Sequence, residues 1–508
     1  MHYIIKIISN IISGLGNMLI LLMVSRALGP SDFGNFTFIT NFFKQLTSFM
    51  SFSTLDGFYV KLSQRPHEGK LILFYIQLFS VLMILSLLST IILKVSGYGD
   101  IIWPGVHDKI ILYGFIFSVM VILLDFARKT SDSLRNTIRS ELTLIIQIFV
   151  GVLLTLFLYF QHGLNIINLF YIRYTMMALA LIIIILVIVN NNKKLIPKVY
   201  RLNKREYREY LKEFYLFSHP LVIFGFLSMI VVLLEYWMLQ LFGGSIQQGF
   251  YGYALRLSTI ASVITISIVP ILQREFAVSF VKNDGARMRL LIRKNYPSIF
   301  FFATSICVFL SIYTSEINSF ISNDSFIGAN AVIAIMLLTP IHQVYGQFNS
   351  AVLLALNKTR VARNIGIIFS LSGLMLSYFL IAPNSLFGLE LGATGYAFRL
   401  IFIQAVMVNV QLYYISRIVG TVYFKYLFNQ IFIIFIVTLI GVISKLLTSL
   451  LLDPSFLFTV ASAIVYFGML VLLIVKVPSI IMLNRKEVLD TVKHVIDIIR
   501  IRFNDILS

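Results

Sequence analysis

Apolar residues run along the chain in long blocks, separated by short polar stretches, from the first residues to about position 476. A helix needs ~20 mostly apolar residues to cross ~30 Å of hydrocarbon. Blocks of that length predict fourteen spans, at about 4–26, 36–60, 71–94, 109–126, 141–160, 166–190, 215–240, 250–272, 295–315, 331–355, 364–382, 393–415, 429–451 and 456–476. Only Gln161–Asn165 separates the fifth from the sixth, which predicts a hairpin. The first block outruns the apolar stretch of a secretory leader. It ends in Ser25-Arg26-Ala27-Leu28-Gly29-Pro30 without a convincing small-residue cleavage site, so it is read as a helix. The expected fold class is an all-α polytopic membrane protein with about 14 transmembrane helices.

Composition agrees. Of the 508 residues 58% are hydrophobic and 12% charged, about half the charged fraction of a soluble domain. That excludes an ordinary soluble enzyme, and a disordered chain would lack the apolar residues. The single cysteine, Cys307, excludes an intrachain disulfide and a cysteine-based metal site.

The net charge of +19 would suggest nucleic acid in a soluble protein, but its placement gives a better reason. With the loops numbered from the N-terminus, 33 of the 41 Lys and Arg lie in the two tails, the even loops and their edges. The odd loops and their edges hold only Arg26, Lys94 and Lys109. By the positive-inside rule both termini are expected in the cytoplasm. Anionic headgroups, rather than nucleic acid, are the expected partners of the basic loops. The outward loops are short, the longest being 95–108 and 316–330, which leaves no folded catalytic domain outside. Two basic cytoplasmic segments read as amphipathic helices on the inner leaflet or as plain orientation anchors. One is Lys204–Lys212; the other is the tail from Leu483, with Val488, Val492, Val495, Ile496 and Ile499 at helical spacing.

The chain also contains an internal echo. Phe33-Gly34-Asn35-Phe36 after span 1 matches Tyr251-Gly252-Tyr253 after span 7, and Arg173 early in span 6 matches Arg399 early in span 12. Transporters often consist of two such halves. The expected organisation is two pseudo-symmetric six-helix lobes, 1–190 and 215–416, joined by a basic cytoplasmic linker, 191–214. Spans 13–14 follow as 417–476, then a basic cytoplasmic tail, 477–508.

At these positions the chain resembles a known group. Arg26-Ala27-Leu28-Gly29-Pro30-Ser31-Asp32-Phe33-Gly34 is similar to the signature after the first helix of polysaccharide exporters in the multidrug/oligosaccharidyl-lipid/polysaccharide (MOP) superfamily. So are Gly249-Phe250-Tyr251-Gly252-Tyr253-Ala254 opening span 8 and Leu391-Gly392-Ala393-Thr394-Gly395-Tyr396-Ala397 opening span 12. The resemblance covers spans 1–12 in order. It implies an O-antigen-type flippase of the bacterial cytoplasmic (inner) membrane, moving an undecaprenyl-diphosphate-linked oligosaccharide by alternating access. It also implies a polysaccharide polymerase and assembly proteins as partners. Resemblance to lipid II flippases implies a groove for the polyprenyl tail on spans 13 and 14, where Ile431–Val437 is apolar. In the family, span 7 often ends with an Asp; here the acidic residue is Glu235.

Charges within spans are costly, on the order of 3 kcal/mol, and face a cavity or a partner. Lys44, Arg173, Arg256 and Arg399 lie six to eight residues from their outward span ends, ~9–12 Å deep at ~1.5 Å per residue. With Arg26 at a span end they are expected to line one cationic cavity between the lobes and to bind the diphosphate. Arg grips phosphate oxygens with paired hydrogen bonds, while Lys acts as a point charge. Glu235, His342, Gln343 and Tyr345 are expected to couple transport or contact sugar, with Gln347 and Asn349 beside them around Pro340. Each has a structural alternative. Arg26 and Lys44 can snorkel, Arg173 and Arg399 can lock helices, Glu235 can pair with an Arg, and His342 can simply pack. Lys445 reads as a peripheral anchor.

No ATP-binding G-x-x-x-x-G-K-[S/T], dinucleotide fingerprint, His-Glu-x-x-His, serine elbow or zinc spacing occurs. No cofactor or metal is expected, and transport is expected rather than catalysis. Three alternatives remain: a cation/drug antiporter of the same superfamily, which would need buried acids; a polysaccharide polymerase-type membrane enzyme, which would need a long outward loop; and a non-transporting scaffold for the assembly machinery.

Overall fold

The computed structural model describes residues 2–50, 54–66, 68–191, 202–266, 275–276, 278–280, 282, 284–322, 324–356, 358–453 and 455–487. Every long element is a helix. In order these are α1 (His2–Met50), α2 (Thr54–Gln64), α3 (Gly69–Val95), α4 (Gly99–Ile102), α5 (Asp108–Ser133), α6 (Thr137–Phe160), α7 (Ile166–Asn191) and α8 (Lys204–Ile266). There follow α9 (Gly285–Ile312), α10 (Thr314–Ser322), α11 (Asn330–Met336), α12 (Thr339–Ala355), α13 (Thr359–Ile381), α14 (Gly392–Val419), α15 (Tyr423–Ser449) and α16 (Phe456–Lys476). The expected tail helix from Val488 onward lies outside the described residues, as do linker positions 192–201.

Among the described residues twelve stretches are long and apolar enough to cross a membrane, and two of them are double. Ile12–Ser48 has 37 residues and Gly225–Thr259 has 35. A straight helix of 37 residues would be ~55 Å long, far more than hydrocarbon needs. Each is broken at one glycine, Gly29 (φ 69°, ψ 175°) in α1 and Gly244 (φ 71°, ψ −177°) in α8. Only glycine takes a left-handed φ at no steric cost. Counting the halves separately gives the fourteen crossings that hydropathy predicts, in an all-helical, multi-pass membrane protein.

The chain divides into two compact units. The first comprises 1–263, 321–332 and 367–399; the second comprises 264–320, 333–366 and 400–508. These bounds differ from the expected lobes.

In the first unit α1 packs on α5 and α6, and α7 packs on the same two helices. The two broken helices meet in a reciprocal way. A Cβ on Gly34 would overlap the Ser245 carbonyl, and a Cβ on Gly249 would overlap the Pro30 carbonyl. The pairs Gly29/Gly244, Pro30/Ser245 and Gly34/Gly249 share one separation of 215 positions, so a pseudo-two-fold relates them. Ser31 and Ser245 hydroxyls join across the seam at 2.8 Å. Backbones approach this closely in membranes where side chains are smallest. The partner of Gly34 is thus Gly249, not Gly252 as motif matching suggested. The aromatic-Gly match is local, whereas the crossing point is chosen by where two chains need no Cβ; Gly252 instead faces Thr37.

The start of α8 carries contacts the sequence did not reveal. Lys204–Phe214 docks on α2 and α3. Phe74 packs against Tyr207, Tyr210 and Phe214 at centroid distances of 5.1, 5.2 and 5.4 Å. Glu213 binds Lys61 and Arg65, each at 2.7 Å, Glu206 binds Lys70, and Tyr210 donates to Glu68. Partial burial raises the affinity of Glu213 for a proton, but hydrogen bonds from Lys61 and Arg65 outweigh it and hold the carboxyl below its ordinary range. The acids interleaved in this basic stretch are what tie it to the basic ends of α2 and α3.

The core of the second unit is an aromatic cluster. Tyr296 and Phe300 of α9 pack with Tyr345 and Phe348 of α12, and Val408 and Leu412 of α14, Ile433 and Val437 of α15 and Tyr466 of α16 close around them.

Candidate functional site: intramembrane charges and an amide cleft

In the first unit the structure brings Arg173 of α7 close enough to Arg256 of α8 for its charge to bear on the Arg256 guanidinium. Both are half-buried. The Arg256 guanidinium lies over Phe33 at 5.0 Å and Phe36 at 5.6 Å. Among the described residues no carboxylate stands within ion-pair distance of either. Cation–π contact offsets only part of the cost of desolvating a guanidinium. Two like charges therefore sit together in a membrane helix layer without a protein counter-charge.

The other predicted cations have different surroundings. Arg26 donates from Nε to the Ile321 carbonyl at 3.0 Å. Lys44 is exposed and within electrostatic reach of Asp125. Arg399, only 7% exposed, pairs with Glu235, which is 2% exposed. Ser377 and Tyr396 hydroxyls each donate to the same carboxylate at 3.1 Å, and Arg399 Nε donates to the Gly373 carbonyl at 3.1 Å. A Cβ on Gly373 would run into the guanidinium, so glycine there is what admits it. This set is neutral overall and fully partnered.

In the second unit Lys445 pairs with Glu316 at 2.8 Å, donates to the Ile312 carbonyl at 3.0 Å and covers Tyr313. His342 and Tyr345 face Phe300, with Tyr345 fully buried. Asn349 ties helices together, accepting from Tyr296 at 3.0 Å and donating to the Val408 carbonyl at 2.8 Å. Gln343 instead lines a cleft of about 410 Å³ between α12 and α14, with Gln347, Ser350, Gln404 and Gln411. The last two were missed in the sequence. Their signal was present: two amides seven residues apart on one face of an apolar span. On α15, Ile433 and Val437 are core, whereas Ile431, Phe432 and Phe435 line an open cleft of about 600 Å³ with Phe428, edged by Lys425.

No protein-family model matches the chain, and a search of curated proteins finds no match. Solved structures do match. A lipid II flippase, MurJ, in its inward closed conformation superposes with a TM-score of 0.69 at 15% identity, covering 93% of this chain and 98% of that one. An inward-facing MATE-family multidrug transporter of the MOP superfamily superposes with a TM-score of 0.55 at 13% identity, covering 80% and 95%. The chain has the fold of the MOP superfamily, shared by flippases and drug transporters. Within that fold its greater likeness is to the flippase structure, in coverage as in TM-score.

Proposed function

We propose that the protein is a flippase that moves an undecaprenyl-diphosphate-linked oligosaccharide from the inner to the outer leaflet of a bacterial cytoplasmic membrane, with both termini in the cytoplasm. The observation that carries this reading is the Arg173–Arg256 pair, two neighbouring guanidiniums on membrane-spanning helices with no carboxylate of the described residues in ion-pair reach. An anionic headgroup supplies the missing counter-charge, and a diphosphate offers enough oxygens for both. Lys44 is the next cation available to it. Arg26 and Arg399 already hold protein groups, so they shape the site. The cleft edged by Lys425 suits the prenyl tail, as the likeness to MurJ suggests. Movement is by alternating access, with transport rather than bond chemistry as the activity. Partners are the polymerase and assembly proteins that take the exported glycan.

A second reading is a cation/drug antiporter, since MATE transporters share the fold. One observation favours it: a deeply buried acid, Glu235. That acid is occupied by Arg399, which weakens the case. The test is reconstitution in proteoliposomes with an undecaprenyl-diphosphate-linked glycan, its arrival in the far leaflet read by lectin binding. Wild type is expected to move it, and Arg173→Ala and Arg256→Ala to stay folded and fail. Normal flux in both variants, or export of cationic dyes in its place, overturns the proposal.

A further inference from the structure

The cleft between α12 and α14 has a composition that packing does not account for. Gln343, Gln347 and Ser350 recur at helical spacing on α12, and Gln404 and Gln411 on α14, so each helix turns one amide stripe toward it. No charged residue lines it. Gly346 also lines it, and a Cβ there would lie 3.3 Å from Val408 of α14. At ~1.5 Å per residue Gln404 and Gln411 lie ~18 and ~28 Å along α14 from Gly392, toward the basic end at Arg417.

Other amides of these helices are satisfied by protein. Asn349 bonds Tyr296 and Val408; Asn409 and Gln430 exchange hydrogen bonds at 3.1 and 3.4 Å. The cleft differs. The Oε1 atoms of Gln347 and Gln411 are buried, yet no described donor reaches them. Such an atom costs ~1–3 kcal/mol, and an apolar side chain would avoid that cost in a membrane helix. Both belong to side chains that line one cleft, where a turn of either amide brings its oxygen to a donor from outside the chain.

We infer that this cleft is the glycan subsite, holding uncharged, hydroxyl-rich sugar of the transported lipid through Gln343, Gln347, Ser350, Gln404 and Gln411. The inference rests on the flippase reading proposed above. Each amide donates through nitrogen and accepts through oxygen, which matches a hydroxyl that does both. A phosphate would find no cation here, and a drug cation no carboxylate. Leu354 and Met407 give apolar surface for the C–H faces of a sugar ring.

The experiment measures binding to the full-length protein in nanodiscs. The probes are bare undecaprenyl diphosphate and a panel of undecaprenyl diphosphates carrying neutral di- and trisaccharides. At least one glycan is expected to tighten binding tenfold or more over the bare lipid. Gln347→Leu and Gln411→Leu are expected to erase that gain, leave affinity for the bare lipid unchanged and keep or raise the Tm, because each removes an unpartnered oxygen. Three results overturn the inference while the flippase reading stands: bare lipid binds and no sugar adds to it, the variants keep the sugar's gain, or they lose affinity for both lipids together with Tm. Failure of wild type to bind even the bare lipid overturns the flippase reading itself.

Discussion

Arg256 and Arg399 start from the same place in the sequence, each a lone arginine early in an apolar span, and end in opposite circumstances. Arg399 is locked in a buried set with Glu235, Ser377, Tyr396 and the Gly373 carbonyl. Arg256 lies over two phenylalanines with Arg173 as its charged neighbour. A buried ion pair contributes little net stability, but removing one partner is costly because the other charge is stranded. An uncompensated charge is the reverse: removing it costs the fold little, and what it loses is the capacity to attract an anion. The contrast separates a charge that holds the protein together from one that is available for work.

The comparison can be broken most directly at Arg399. Arg399→Ala strands Glu235 and is expected to cost ~3–5 kcal/mol, read as a fall in Tm and in folded yield. Replacing both partners, Glu235→Leu with Arg399→Leu, should recover most of that loss. If the double variant is as unstable as the single one, the pair is not a self-contained unit. Gly373→Ala comes next. Its methyl group intrudes on the guanidinium and should cost ~1–3 kcal/mol, and combining it with Arg399→Ala should add less than the sum.

Arg173→Ala and Arg256→Ala stand on the other side. Loss of cation–π contact, ~0.5–2 kcal/mol, is offset by relief of repulsion and desolvation. Tm should move by no more than ~1 kcal/mol equivalent while flux of the lipid-linked glycan disappears. A large fall in Tm would place Arg256 with Arg399 and dissolve the contrast.

The partly exposed pairs at the start of α8 define the small end of the scale. The carboxyl of Glu213 is held below its ordinary value of 4.5 in the folded protein. Its contribution is therefore present above pH 4.5 and is lost as pH falls through the folded value. Hydrogen exchange at Tyr207–Phe214 should quicken below that pH and, in Glu213→Gln, already be faster at pH 7. Unchanged exchange in that variant would leave the aromatic packing on Phe74 as the sole attachment.

Much of the fold could be read from residue order. Block length predicted fourteen crossings, and Leu28-Gly29-Pro30 marked the first break before any contact was known. The second break, at Gly244, was present only as a glycine pair in a loop, and its reciprocity with Gly29 emerged at a different register from the aromatic-Gly match. At the site, the intramembrane arginines were visible one by one because hydrocarbon makes every charge conspicuous. Their partners were not. Gly373 reads as an ordinary small residue in an apolar span, and Gln404 and Gln411 as scattered polar positions, until the opposing helix is seen.

Residue order alone was enough to show that this chain is a bundle of membrane helices and where most of them begin and end. Those properties follow from the cost of placing each residue in hydrocarbon, a cost set residue by residue and by neighbours a few positions away. Which arginine meets a carboxylate, which lies over aromatic rings instead, and which amides face a cleft became visible only in the folded chain. A charge is compensated by an oxygen about 3 Å away in space, and here the groups that meet around Glu235 are as much as 164 positions apart in the chain.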